Sequence, residues 1–249
     1  MFRFVDVHAH LDDKSFDNDR DEVIKRASNV LILNAGQEPE SNRKSIELSR
    51  KYNNVKACLG FHPEFVPNFN DWEIDAEINY IRNTNVKIAA ISEIGLDYHW
   101  IKDLEQRRRS IEVFKKMLIL ADEMNLPVIV HSRNATMHVL EILRNFSGKV
   151  VLHGFTGNMH ELRIAINRGY YFSIAPNVCR STYKQSLVKV LPMDRLLTET
   201  DSPVLSADNK RNEPSNVKLV VQKIAEIKKI EEQEAEIKLR ENAFKILNL

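Results

Sequence analysis

Short apolar runs and longer amphipathic segments alternate along this chain. The longest amphipathic segment, residues 104–124, keeps an apolar stripe through Ile111, Phe114, Leu118 and Ala121, at the spacing of a helix face that packs on a core. The other amphipathic segments predict helices over residues 19–27, 39–52, 72–82, 139–145, 160–167, 183–191, 216–228 and 232–247. The apolar runs predict eight buried strands, over residues 4–11, 30–36, 55–63, 88–95, 127–133, 149–157, 171–176 and 196–203.

This alternation predicts a parallel α/β fold. Strands joined through helices form right-handed crossovers, and eight such strands are the number that closes a TIM (β/α)8 barrel. A doubly wound open sheet is the alternative, but no GxGxxG turn follows the first strand, and polar residues collect at the ends of many strands. The length of 249 residues matches one barrel, so we expect a single domain over residues 1–249.

The amino-acid composition limits which binding partners and which cellular compartment we expect for this chain. The chain has 36 basic and 35 acidic residues, a net charge of +1, so any contact with nucleic acid must come from a local patch. Cys58 and Cys179 lie far apart without a CxxC motif, which favours reduced thiols in the cytoplasm over a disulfide scaffold or a zinc knuckle. No run of 18 apolar residues and no secretion signal occurs, so we expect a soluble cytoplasmic protein without a membrane partner.

The first predicted strand carries two histidines close to its end. Regular alternation would turn Asp6, His8 and His10 to one face and the apolar residues between them to the other. Neutral imidazole is the commonest nitrogen ligand of metals in proteins, so two on one face begin a metal site. Taken alone, the pair is a weak signal, because such a pair is more often two hydrogen-bonded polar residues at a strand end. Later strands decide between the two interpretations.

Five more polar residues stand where other predicted strands end. They are His62 on the third strand, Glu93 on the fourth, His131 on the fifth, His153 on the sixth and Asp201 on the eighth. The carboxyl ends of barrel strands meet at one mouth, where so many histidines and carboxylates would be costly without a cation. We therefore predict two divalent ions bridged by Glu93, which together lower the pKa of a water. Asp201 would bind the first ion and take the proton of that water.

Six blocks of sequence around these positions resemble the signature blocks of the TatD family of metal-dependent hydrolases and deoxyribonucleases. The blocks cover residues 8–10, 60–63, 93–98, 127–133, 152–157 and 199–203, and residues 211–214 resemble a further one. They occur in order from the first strand to the eighth. The resemblance implies a TIM barrel of the amidohydrolase type that hydrolyses DNA phosphodiesters, commonly as a 3′ to 5′ exonuclease.

The same resemblance implies a role for each strand-end residue. One ion, whether zinc, magnesium or manganese, is held by His8, His10, Glu93 and Asp201, and the second by Glu93, His131 and His153. His62 is implied to lie near the substrate phosphate without binding metal. Other amidohydrolases bridge their metals with a modified lysine on the fourth strand, but Lys87 comes too early for that role.

The chain departs from the family pattern at two places. Gly154 stands where cysteine is frequent, and Ala175-Pro176 stands where many members have serine and glycine. Neither position holds a proposed metal ligand. The departures therefore bear on the shape of the substrate and leave the metal site unaffected.

Besides His62, three residues outside the metal ligands are candidates for substrate binding. Arg133 emerges beside His131 and Arg211 lies in the loop after the eighth strand, so each could bind a phosphate or form a salt bridge at the rim. Tyr98 lies in an aromatic cluster that could stack on unpaired bases or pack a lid.

Asp6 precedes His8 by two residues and is expected to orient the His8 ring.

These observations favour a two-metal phosphodiesterase acting on DNA. A narrow barrel mouth admits single strands or ends more easily than a duplex. A second hypothesis retains the two-metal site but assigns it to hydrolysis of a different bond. The protein would then be an amidohydrolase or esterase acting on a small molecule or an aminoacyl-tRNA. A third makes the metals structural, which fits poorly because structural zinc sites are usually closed and four-coordinate.

Overall fold

Eight parallel strands in chain order form the centre of the molecule. The computed structural model describes residues 2–247. Each strand pairs with the next in parallel, from β1 with β2 to β7 with β8. The strands are β1 Phe4–Ala9, β2 Val30–Ala35, β3 Val55–Leu59, β4 Ala90–Gly95, β5 Val128–His131, β6 Val150–Leu152, β7 Tyr171–Ile174 and β8 Leu196–Thr198.

The sheet closes between β8 and β1, through hydrogen bonds that lie largely beyond the end of β8. The amide N–H of Asp201 donates to the carbonyl oxygen of His8 at 2.8 Å, and the N–H of His10 donates to the carbonyl oxygen of Ser202 at 2.8 Å. The hydroxyl of Thr198 donates to the carbonyl oxygen of Val5 at 2.6 Å. The predicted TIM barrel is confirmed, and closure rules out the open doubly wound sheet.

Helices connect the strands, and two more follow β8. They are α1 Arg20–Arg26, α2 Pro39–Lys51, α3 Asp71–Arg82, α4 Leu104–Glu123, α5 Thr136–Leu143, α6 Met159–Asn167, α7 Thr182–Val190, α8 Val217–Lys228 and α9 Glu232–Leu247. The α4 stripe packs inward as predicted, with Phe114, Leu118 and Ala121 buried. Helix α5 begins three residues before the predicted start at residue 139, because its polar first turn precedes the apolar repeat. Among the described residues, no helix combines the length and apolarity needed to span a bilayer.

Aliphatic side chains from alternate strand positions fill the barrel. We call this set the interior cluster: Val5, Val7, Leu31, Leu33, Cys58, Ala90, Ile129, Val151 and Leu197. Ala243 and Ile246 of α9 pack against the same cluster. The lower part of the barrel is therefore a closed apolar core, and polar chemistry is confined to the carboxyl ends of the strands.

Strand β1 does not keep a regular two-residue alternation. Val5 and Val7 belong to the interior cluster, whereas Ala9 packs into the layer between the sheet and the helices. The register against β2 shifts between Asp6 and Ala9, and that of β4 against β5 shifts across Glu93. The prediction that the apolar residues of β1 share one face is therefore wrong. An irregularity of this kind re-aims the following side chains, and here it turns the histidine pair towards the barrel interior.

Candidate metal centre

The structure brings together all six side chains that were predicted to bind metal. They come from the ends of β1, β4, β5, β6 and β8, and all are buried except His131, which is partly exposed: His8, His10, Glu93, His131, His153 and Asp201. Candidate ligand atoms lie within 4.8 Å of one another in three overlapping groups. One group also includes His62, with Glu93 and His131.

One oxygen of the Glu93 carboxylate faces the histidine pair of β1. Its Oε2 atom lies 3.5 Å from His8 Nε2 and 3.6 Å from His10 Nε2. Asp201 Oδ1 lies 3.7 Å and 3.4 Å from the same two nitrogens. These separations are long for hydrogen bonds, but ligands bound at 2.0–2.1 Å around a tetrahedral ion are about 3.4 Å apart. The four atoms are therefore spaced as the first coordination shell of one cation.

The other oxygen of Glu93 faces a second group of histidines. Its Oε1 atom lies 2.9 Å from His131 Nδ1, 3.6 Å from His153 Nε2 and 3.5 Å from His62 Nε2. The rings of His131 and His153 are 6.0 Å apart between centroids and nearly parallel. One carboxylate thus separates two clusters of imidazoles, with one oxygen directed at each.

The unpartnered ring of His8 tests whether the site fits a metal. It is fully buried, and neither of its ring nitrogens has a hydrogen-bond partner within residues 2–247. It also stacks on His153 with centroids 3.9 Å apart. Burial, and after it the charge of His153, lowers the pKa of His8 and keeps its ring neutral. A buried neutral imidazole with an unused Nε2 facing two carboxylates fits a divalent cation and is otherwise costly.

Outer hydrogen bonds fix which nitrogen each remaining histidine turns to the centre. His10 Nδ1–H donates to the carbonyl oxygen of Ala35 at 3.0 Å. His131 Nε2–H donates to Asp97 Oδ2 at 2.8 Å. Carbonyl and carboxylate partners of this kind are typical behind metal-binding histidines, because they fix the tautomer and raise the basicity of the inner nitrogen.

Glu199 has the same role for His153, because it accepts a hydrogen bond from the ring nitrogen that faces away from the centre. His153 Nδ1–H donates to Glu199 Oε2 at 2.9 Å, and the hydroxyl of Ser173 donates to the same oxygen. Sequence analysis assigned no role to Glu199 or to Asp97, although both lie in the family-like blocks. The available signal was spacing, since in the predicted strand over residues 196–203 Glu199 precedes Asp201 by two residues and would share its face.

Asp6 does not orient the His8 ring, so that prediction is wrong. Its carboxylate accepts hydrogen bonds from the backbone N–H and the hydroxyl of Thr200, and from the backbone N–H of His8 at 3.3 Å. The register shift in β1 separates Asp6 from the face of the histidines. Asp6 instead ties β1 to the segment that follows β8.

The two candidate arginines differ in their surroundings. Arg133 is exposed, and its guanidinium lies 5.6 Å from the ring centroid of Trp100. Arg211 forms a two-pronged ion pair with Asp19 and donates to the carbonyl oxygen of Ser15 at 2.6 Å. Arg211 is thus held in a salt bridge, whereas Arg133 forms no ion pair with a carboxylate of the described residues.

Tyr98 is held in place by two neighbours. Its hydroxyl is hydrogen-bonded to His138 Nδ1, and the guanidinium of Arg107 lies 4.3 Å from the centre of its ring. Both contacts fix the ring without closing it off, since Tyr98 remains partly exposed. The exposed ring edge borders a cavity with residues 134–138.

Lys184 clamps the loop that carries His153. Its side chain is buried, and Nζ donates to the carbonyl oxygens of Gly154 at 2.9 Å and Phe155 at 2.7 Å. Burial lowers the pKa of Lys184 to about 8, against the opposing carboxylates of Glu199 and Asp201. Lys184 lies on α7, so this helix holds the loop beside the metal centre from outside the barrel.

Replacing Lys184 by methionine is expected to lower the free energy of unfolding by about 2 kcal/mol, because two buried carbonyl groups lose their donor. Urea denaturation measures the change. The exposed Lys189 on the same helix gives the matched control, and Lys189→Met is expected to change stability by less than about 0.5 kcal/mol. Equal unfolding midpoints for the two variants would contradict the clamp.

Comparisons with known proteins agree with this geometry. The sequence model of the family described as TatD related DNase matches residues 5–248. The chain is 38% identical over 246 residues to an uncharacterised metal-dependent hydrolase of Methanocaldococcus jannaschii, covering 98% of this chain and 96% of that protein. It is 32% identical over 239 residues to the 3′-5′ ssDNA/RNA exonuclease TatD of Cronobacter sakazakii, covering 89% of each. The crystal structure of YjjV, a TatD homologue from Escherichia coli, superposes with a TM-score of 0.89 at 26% identity, covering 99% of this chain and 98% of that one.

Proposed function

The chain belongs to the TatD-related DNase family of metal-dependent hydrolases, and from that premise we propose that it cleaves DNA phosphodiester bonds with two divalent ions. The observation that carries the proposal is the position of Glu93. Its two carboxylate oxygens face two separate groups of imidazoles at 2.9–3.6 Å. A carboxylate placed in this way can bridge two cations.

We assign the ligands as the strand-end pattern predicts. The first cation is held by His8, His10, Glu93 and Asp201, and the second by Glu93, His131 and His153. When bound, two such ions stabilise the charge that develops on the phosphoryl and leaving oxygens. The nitrogen and oxygen donors suit zinc, manganese or magnesium; the histidines favour zinc, and the carboxylates also suit the other two.

Asp201 is the proton acceptor in this proposal. Burial alone would raise its pKa, but the positive charge of His153 and the nearby His10 ring outweigh burial and lower the pKa below its usual value. Asp201 is therefore ionised at neutral pH. It lies at the edge of the centre, where it can take a proton from the attacking water.

His62 acts in this proposal as a neutral hydrogen-bond donor to the substrate. Its Nδ1 accepts the backbone N–H of Glu64 at 3.3 Å, which leaves the ring proton on Nε2. Burial lowers the pKa of His62 to about 3, so the ring does not take up a second proton at neutral pH. Its Nε2–H is directed into the centre beside Glu93, where a phosphoryl oxygen would lie. Arg133 and Tyr98 at the rim are placed to contact the rest of the substrate.

Single strands or free ends are the proposed form of the substrate. The reacting groups are buried within the mouth of the barrel, with His8 completely inaccessible and Glu93 nearly so. A duplex cannot bring its phosphates to that depth without opening, whereas an end or an unpaired strand can enter. The relative from Cronobacter sakazakii is named for the same kind of substrate.

Metal uptake is expected to release protons at pH 7. Burial lowers the basicity of His10, His131 and His153, but neighbouring carboxylates outweigh it and raise the pKa to about 10 for His10 and about 9 for the other two. These rings therefore carry protons in the metal-free protein, and each must lose one to bind a cation, about three in total. Apparent affinity should fall as the pH is lowered, because protons compete with the metal.

Calorimetric titration of the chelator-treated protein in two buffers of different ionisation enthalpy measures this release. The observed heats should differ by roughly the difference between the two buffers' ionisation enthalpies multiplied by the number of protons released. Identical heats in the two buffers would show that these histidines were already unprotonated at pH 7 and would contradict their raised pKa values.

A cleavage assay tests the proposed function. The protein is given end-labelled single-stranded DNA, duplex DNA and a panel of small amides and esters, with Mg²⁺, Mn²⁺ or Zn²⁺ and with a chelator. We expect metal-dependent release of nucleotides from the 3′ end, fastest on the single strand and absent with the chelator. Amide turnover without DNA cleavage would favour the alternative amidohydrolase activity, and an inert protein that retains metal would make the metals structural.

A further inference from the structure

A basic cavity lies at the end of the barrel opposite the metal centre. Its volume is about 570 Å³, within the range of about 300–1,000 Å³ typical of small-molecule sites. The walls are the loops that enter β6 and β7, together with Arg195 just before β8 and Lys245 on α9. Val150 at the start of β6 lines this cavity, whereas His153, just beyond the end of the same strand, belongs to the metal centre. The two sites are therefore separated by the length of the strand.

The charge of the lining is of one sign. Five basic side chains surround the cavity, and no carboxylate of the described residues lines it: Arg144, Lys149, Arg168, Arg195 and Lys245. Lys149 donates to the carbonyl oxygen of Lys245 at 2.8 Å, and the Arg195 guanidinium lies 5.0 Å from the ring centre of Tyr171. Like charges around a concave surface concentrate positive potential and attract anions.

This lining contrasts with the rest of the described surface, where arginines are commonly paired with carboxylates. Such pairs are Arg26–Glu213, Arg43–Glu77, Arg82–Glu123, Arg109–Asp71 and Arg211–Asp19. Within residues 2–247, Arg144, Arg168 and Lys245 form no ion pair, and Arg195 has only a 4.0 Å contact with Asp194. A chain with 36 basic and 35 acidic residues has enough carboxylates to pair these groups. Three basic groups without an ion pair therefore line the same cavity.

We propose that this cavity binds a small molecule that carries two or more phosphate charges, of about the size of a nucleoside diphosphate. Guanidinium groups bind phosphate oxygens through two parallel hydrogen bonds, and several cations together match a multiply charged anion. The partly buried ring of Phe146 lines the same cavity and provides an apolar wall for the body of the ligand. The site does not depend on the proposed nuclease activity, since it shares no residue with the metal centre.

Calorimetry at low ionic strength tests the proposal. The full chain, as purified with its metals, is titrated with ADP, pyrophosphate, inorganic phosphate and adenosine. The cavity variant is Arg144→Gln with Lys245→Gln, two exposed positions. The control variant, Arg82→Gln with Lys116→Gln, removes the same charge from the α3–α4 face. We expect ADP binding to weaken at least tenfold in the cavity variant and less than twofold in the control, with adenosine not binding.

Hydrogen exchange locates the bound ligand independently of the variants. ADP should slow amide exchange in residues 146–150 and 168–171. Pyrophosphate binding as tight as that of ADP would show that the phosphate groups alone are recognised, and tighter binding of ADP that the nucleoside contributes. Equal ADP affinity in the two variants, protection confined to the strand ends near His153, or binding of a single-stranded oligonucleotide in place of ADP would each overturn the proposal.

Discussion

Replacing Glu93 by glutamine is expected to lower kcat/KM for DNA cleavage by at least about 1,000-fold and to remove bound metal. The amide keeps the size of the side chain but loses its charge. One of its two terminal atoms becomes an N–H donor, which cannot bind a cation. Because each oxygen of Glu93 faces a different group of histidines, the substitution affects both proposed ion sites at once.

Steady-state kinetics and elemental analysis of the dialysed protein measure the two effects together. The matched control is Glu47→Gln, the same chemical change on the exposed face of α2. We expect the control to keep its metal content and to retain activity within about twofold. Full metal content in the Glu93 variant, with activity close to that of the parent chain, would show that this carboxylate does not bridge the ions.

Replacing Asp201 by asparagine is expected to lower kcat by about 100- to 1,000-fold while leaving KM nearly unchanged. The asparagine oxygen can still face His8 and His10, but the amide cannot accept a proton from the attacking water. The second proposed ion lies against His131 and His153, so its occupancy should persist. This separation distinguishes Asp201 from Glu93, whose loss should affect both ions.

Single-turnover kinetics and metal analysis separate the chemical step from substrate binding. Asp208→Asn is the matched control, since Asp208 is an exposed residue of the same loop. It accepts a hydrogen bond from the backbone N–H of Lys210 and lies 3.8 Å from Lys210 Nζ, away from the metal centre. We expect the control to retain the parent rate within about twofold. A raised KM with an unchanged kcat in the Asp201 variant would assign this carboxylate to substrate binding and exclude it as the proton acceptor.

Much of the site could be predicted because the topology of a parallel barrel determines where the end of each strand lies. Each buried run ends where its strand ends, so the polar residue that follows each run meets the others at one mouth. His131, His153 and Asp201 were placed correctly by this reasoning alone. The prediction required no knowledge of side-chain contacts, because the barrel topology brings the strand ends together.

The parts that escaped prediction depend on contacts that the periodic pattern does not contain. The register shift in β1 leaves no mark in the alternation of apolar and polar residues, so the orientation of Asp6 was predicted wrongly. The hydrogen bonds that His131 donates to Asp97 and that Lys184 donates to the His153 loop join segments that are distant in the sequence. The Arg211–Asp19 ion pair likewise joins the loop after β8 to a residue before α1.

Anomalous diffraction from crystals of the manganese- or zinc-loaded protein tests the central claim most directly. The account predicts two peaks, one among His8, His10, Glu93 and Asp201 and the other among Glu93, His131 and His153, with Glu93 contacting both. A single peak that does not touch Glu93, or no peak at the strand ends of a protein that still cleaves DNA, would contradict it.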